Sequence, residues 1–220
     1  AVDYGMTGDG EAASSSAETP VTRATATGDD APTRCYMQVF GEGGTPAAEL
    51  PEMQSGTTTG DGSYTFNVRL VKGKQYTFCF WADNGEQTVT ALTSVPYAPG
   101  TVAFAARETG TPETVNKAIT LKHAVAKVTL ATTTATTIAT DGKVSLTADC
   151  ATGYDVLSAT GTASSEHTFT SDKLGSVSAG GDVLSCYLIP AAEKQDITIG
   201  CHLLTQTVAD VPLSANTHII

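Results

Sequence analysis

In SYTFNVRLVKGKQYTFCFWADNG, Tyr64, Phe66, Val68 and Leu70 alternate with Thr65, Asn67 and Arg69. A repeat of two sorts into one wet face and one dry face on an extended chain, whereas on a helix it would scatter around the axis. The same alternation returns at Tyr76, Phe78 and Phe80, and Lys72-Gly73 between the two runs predicts that the chain turns back into a hairpin. Asp83-Asn84-Gly85, residues that accept positive φ, end the second run with a tight turn. Upstream, RCYMQVF places Cys35, Met37 and Val39 on one face and Tyr36, Gln38 and Phe40 on the other, as in a strand buried on both sides.

The pattern continues along the chain. Residues 86–93 read as a further strand, and VPYAPGTV, with Pro96, Pro99 and Gly100, as a loop. In AITLKHAVAKVTLATT, Ile119 and Leu121 share one face, whereas Ala124, Ala126, Val128 and Leu130 have the opposite parity. That slip near His123 calls for a β-bulge or a switch between sheets. A helix from Pro112 to Lys127 is the second choice, because β-branched residues follow it. Strands are predicted at 143–149, 183–189, 196–204 and 207–213. The fold class is therefore all-β, and 220 residues suit two sandwiches in tandem better than one. The expected division is an extended leader over 1–33, one domain over 34–115 and a second over 116–220, meeting at GTPETVNK. The leader is rich in Ser, Ala, Gly, Asp and Thr and has no core of its own.

Charge narrows the function classes. The net charge of -11 repels a phosphate backbone, and the few basic residues are scattered, so nucleic acid is not an expected partner. Mean hydropathy of -0.03 argues against a membrane-embedded body. Cys35, Cys79, Cys150, Cys186 and Cys201 form no CxxC pair and read as free thiols, with room for one or two disulfides. The chain begins at Ala1, which predicts that an export signal has been removed, and it stops on His218, Ile219 and Ile220, which predicts a truncated terminus.

No catalytic constellation emerges, and the chain reads as a structural or binding protein rather than an enzyme. GSVSAGG differs from a nucleophile elbow because Ser176, not Gly, stands two before Ser178; a mobile Gly/Ser loop is the reading. His123 has no Asp, Glu or Cys at ligand or relay spacing and reads as a hydrogen-bonded structural histidine. Cys201 and His202 are adjacent, and adjacent strand residues point to opposite faces, so they do not share an ion. Asp29-Asp30, Asp61 and Asp83 lack EF-hand spacing, leaving only adventitious calcium between loops. No cofactor and no dedicated metal site is expected.

RATATGDDAPTRCYMQVFGEG, Leu-Lys-His-x-x-Ala-Lys-Val over Leu121 to Val128, and VPLSANTHI over Val211 to Ile219 together resemble the fimbrillin family of Bacteroidales, subunits of surface fimbriae of FimA and Mfa type. The resemblance runs from about residue 23. It implies a lipoprotein precursor exported to the outer membrane and folded as two transthyretin-like β-sandwich domains. It also implies an Arg-specific protease that removes a leader, here by a cut between Arg23 and Ala24, with Arg34 less suited because it abuts the first buried strand. The plain alternative is that Arg23 is a solvated linker residue. Other fimbrial subunits would then be the partners, filling the vacated groove by strand donation. A cell-surface glycan-binding sandwich is the alternative function, for which Trp81 is the chief aromatic candidate, although its neighbour Phe80 suggests core packing.

Overall fold

The structure, a computed structural model, describes residues 17–21, 31–58, 63–115, 118–140, 142–202 and 204–220. Its strands in chain order are β1 (Ala17–Val21), β2 (Arg34–Phe40), β3 (Gln54–Ser55), β4 (Thr57–Thr58), β5 (Tyr64–Val68) and β6 (Tyr76–Asp83). There follow β7 (Val95–Pro96), β8 (Ala103–Gly110), β9 (Lys122–His123), β10 (Ala126–Ala131), β11 (Thr136–Ile138) and β12 (Val144–Asp155). The last are β13 (Thr160–Thr170), β14 (Gly175–Val177), β15 (Asp182–Leu188), β16 (Lys194–Cys201), β17 (Leu204–Pro212) and β18 (His218–Ile219). Among the described residues the only helical turn is a short 3-10 segment, Glu42–Gly44, so the all-β expectation holds.

The chain divides into two compact units. Unit 1 comprises residues 1–96, 102–122 and 154–160. One of its sheets runs β3-β2-β6-β8-β9 and the other β1-β5-β4. Strands β2 and β6 are antiparallel, Arg34 opposite Asp83 through Phe40 opposite Thr77, and both are buried along most of their length. From the second sheet, Phe66 meets Phe80 edge to face at 5.9 Å, closing an apolar layer between the two.

Unit 2 comprises residues 97–101, 123–153 and 161–220. Its core draws Ala126, Val128, Leu184, Cys186 and Leu188 from the sheet β15-β10-β18, and Leu146, Cys150, Phe169 and Ile197 from the sheet β13-β12-β16-β17. A small satellite of Ile138, Val177 and Val183 lies by the pair β11-β14. Half-buried and exposed threonines face one another across neighbouring strands, Thr147 with Thr168 at 2.7 Å and Thr198 with Thr207 at 3.1 Å in this unit, and Thr77 with Thr109 at 3.1 Å in unit 1. Cross-strand hydroxyl pairs of this kind are what a threonine-rich, half-wet pleat accommodates.

Several expectations are corrected. β5 and β6 do not form a hairpin: β5 pairs with β1 and β4, and β6 with β2 and β8, so the Lys72-Gly73 turn carries the chain from one sheet to the other. Residues 86–93 form no strand. Leu92 is buried there, but its N–H donates to the buried Gln38 Oε1 at 2.8 Å and its carbonyl accepts from Val156 N at 2.8 Å, so the backbone is satisfied without a ladder. The leader is not wholly without strand structure, since Ala17–Val21 pairs with β5. The Gly/Ser stretch is likewise ordered: Gly175–Val177 is β14, and Ser178 begins a turn in which its carbonyl accepts from Gly181 N at 2.9 Å. The parity slip at His123 is a switch of sheet, β9 pairing beside β8 and β10 lying between β15 and β18. All five cysteines are free thiols, four buried and Cys201 exposed.

Candidate functional site

β5 is the strand around which a groove can open. Tyr64, Phe66 and Val68 are buried, Thr65 is half-buried and Asn67 exposed. On one side β4 covers only Thr65 and Tyr64. Along the other side β1 covers the whole strand, antiparallel, from Ala17 opposite Val68 to Val21 opposite Tyr64. β1 is the outer strand of its sheet and contains Pro20, a residue that ladders tolerate at an edge because it has no N–H to donate. Without β1, the N–H and C=O groups along one side of β5 would lose their partners.

Arg23 and Ala24, the expected processing pair, lie outside the described residues, two positions beyond the end of β1. Arg34 is placed firmly inside β2. Its Nε donates to Asp83 Oδ1 at 2.5 Å, and its guanidinium sits 5.6 Å from the centre of the Tyr36 ring. Asp83 is buried, and it also accepts from Trp81 Nε1 at 2.5 Å and from Gly85 N at 3.1 Å. The Asp83 carbonyl takes the Thr33 N–H at 2.9 Å, and Tyr64 Oη donates to the Pro32 carbonyl at 3.1 Å. Burial holds the Tyr64 phenol above its ordinary pKa, so it remains a donor at neutral pH. The chain is therefore fastened from Pro32 onward.

The remaining candidates are accounted for by packing. Trp81 is fully buried, its ring 5.3 Å from that of Tyr154, and offers no platform for a sugar. His123 stacks on Tyr187 with ring centres 6.2 Å apart. In unit 2, His123, Val125, Lys127, Tyr187, Asn216, Thr217 and His218 line a cleft of about 150 Å³. Its polar side chains are engaged by the walls: Lys127 Nζ lies 5.3 Å over the Tyr187 ring, and His218 Nε2 is 2.9 Å from Thr129 Oγ1. Backbone bonds from Lys127 N to Thr217 O and from Asn216 N to Val125 O, each 2.9 Å, seat the last residues on β10. Among the described residues, no group of three or more His, Cys, Asp or Glu is placed to hold a metal ion.

A family of unknown function, DUF6562, matches residues 7–98, less than half of the chain. No curated protein sequence matches this one. Among solved structures, a "putative adhesin" from Bacteroides thetaiotaomicron superposes with a TM-score of 0.51 at 13% identity, over 84% of this chain and 73% of that one. A "putative cell adhesion protein" from Parabacteroides distasonis gives 0.50 at 10% identity, over 92% and 88%. The tip fimbrial protein Mfa3 from Porphyromonas gingivalis, with C-terminal truncation, gives 0.49 at 13% identity, over 87% and 80%. The resemblance to Bacteroidales surface proteins is thus met at the level of the fold, which the chain shares with this "putative adhesin" and this "putative cell adhesion protein".

Proposed function

We propose that the chain is a subunit of a cell-surface fimbria, contributing to adhesion, built from two transthyretin-like β-sandwich domains and matured by a cut between Arg23 and Ala24. The observation that carries this reading is the position of β1: it covers the edge of β5 and ends two residues before Arg23, in a fold shared with Bacteroidales adhesins. A cut at Arg23 would sever the chain between β1 and the rest of the body, and the described tie that remains is its ladder to β5, a five-residue pairing on an outer edge. Once it leaves, a strand from another subunit restores the lost hydrogen bonds and covers the apolar floor of Tyr64, Phe66 and Val68. Repeated head to tail, that exchange gives a filament rather than a closed ring. The partners are other fimbrial subunits, an Arg-specific protease and, through a lipid anchor on the precursor, the outer membrane.

Brief digestion with a low dose of trypsin tests the reading. One early cut after Arg23 is expected, followed by a ladder of higher species on native gels, and neither should appear with Arg23→Ala. Processed chains that show no growth beyond the uncut state would remove the assembly role.

A further inference from the structure

β17 is an outer strand of unit 2, paired among the described residues only with β16, and eight of its nine residues are exposed. Leu204, Gln206 and Val208 stand opposite Cys201, Ile199 and Ile197. Ile197 belongs to the core and Ile199 packs against it, so Leu204 and Val208 lie on the core-side face of the sheet. Yet Leu204 is 68% exposed and Val208 41%. The sheet overhangs its own core by one strand. No charged residue interrupts Leu204 to Ala209, and Asp210 and Pro212 stand only at the far end of the strand; among the other described outer strands, β1 carries Glu18 and Pro20, β13 carries Glu166, β15 begins on Asp182 and gives its Tyr187 carbonyl to Gly100 N, and β3, β4, β9, β11, β14 and β18 are two or three residues long. An unguarded, partly apolar edge is the kind that takes up another strand.

The sequence of this edge indicates which strand. Leu204-Thr205-Gln206-Thr207-Val208 reads the same in chemistry from either end. Placed antiparallel against itself about Gln206, it sets Leu204 against Val208, Thr205 against Thr207 and Gln206 against its own copy. Opposed residues share a face, so the two apolar pairs extend the stripe begun by Ile197 and Ile199, and the threonines meet on the wet side.

We propose that β17 is a self-association edge, joining two copies of this chain antiparallel about Gln206 into one continuous sheet. The pairing needs no removal of residues ahead of Arg23, so it stands apart from the fimbrial reading and fails separately from it. Sedimentation of the full 220-residue chain should show a concentration-dependent dimer. Val208→Lys should weaken it by about tenfold or more while leaving the circular dichroism spectrum unchanged. Register is read by cross-linking in a Cys201→Ser background. Gln206→Cys brings two thiols onto the axis, with Cα atoms about 4.5–5.5 Å apart, within disulfide reach, and should give a covalent dimer under mild oxidation. Thr205→Cys, whose opposite number is Thr207, should cross-link far less. A chain monomeric at every concentration, a dimer indifferent to Val208→Lys, or equal cross-linking through positions 205 and 206 would each overturn the proposal.

Discussion

Asp83 gathers three donors onto one buried carboxylate: Arg34 Nε, Trp81 Nε1 and Gly85 N. Removing it strands an indole N–H and a guanidinium that is largely withdrawn from water, and such orphaned groups are costly. Asp83→Ala is expected to lower stability by about 3 kcal/mol, read as a fall in the urea midpoint. Thiols give a second handle at this scale. Burial pushes Cys35, Cys79, Cys150 and Cys186 up from 9.0 to about 12. Below pH 9 folded and unfolded chains both keep these thiols protonated. Above it the unfolded chain gives up protons that the folded chain holds until about 12, so stability should fall as pH rises through that window, in urea melts taken at stepped pH. At pH 8 a thiol reagent should find one reactive group in the folded chain, Cys201, and five in urea.

Among elements, the strands that alternate were readable and the ones that do not were missed. Tyr64, Phe66 and Val68 have one dry face, and the fold needs it. β13, TGTASSEHTFT, is exposed along almost its whole length, so its sequence carries no repeat to read; it is a strand because β12 offers it an edge. Likewise β1 has no alternation and pairs because β5 is there. Alternation also does not say which sheet a strand joins, which is why β5 and β6 looked like a hairpin. Gly56 illustrates a constraint hidden from composition. It lies between β3 and β4 and passes the chain from one sheet of unit 1 to the other, its N–H donating to the Cys35 carbonyl at 2.8 Å. A Cβ there would come within 2.7 Å of Phe66 Cζ and 3.0 Å of Tyr64 Cβ. Gly56→Ala should therefore cost about 1–3 kcal/mol, measured by thermal or urea unfolding.

At the scale of the molecule, a net charge of -11 works against any association of copies. Screening should accordingly favour the β17 dimer: raising monovalent salt from about 0.01 M to about 0.15 M shortens the Debye length from about 30 Å to about 8 Å and should lower the dimer dissociation constant by sedimentation. Of the candidate sites, Arg23 could be singled out from its neighbours in sequence, because a lone basic residue in a run of small and acidic ones is conspicuous. The β17 edge was not legible in this way. Residues 207–213 read as a strand, but the symmetry of Leu204 to Val208 acquires meaning only when that strand is seen to stand outermost.

β18 has a consequence for how the protein comes into being. Its two residues lie parallel to β10, His218 beside Lys127 and Ile219 beside Val128, and His218 reaches back across 89 positions to Thr129. A nascent polypeptide emerging amino end first cannot finish that flank of β10 until translation has delivered those distant residues. Until then β10 waits with a vacant side, an interval in which a chaperone or translocation machinery would find the second unit incomplete.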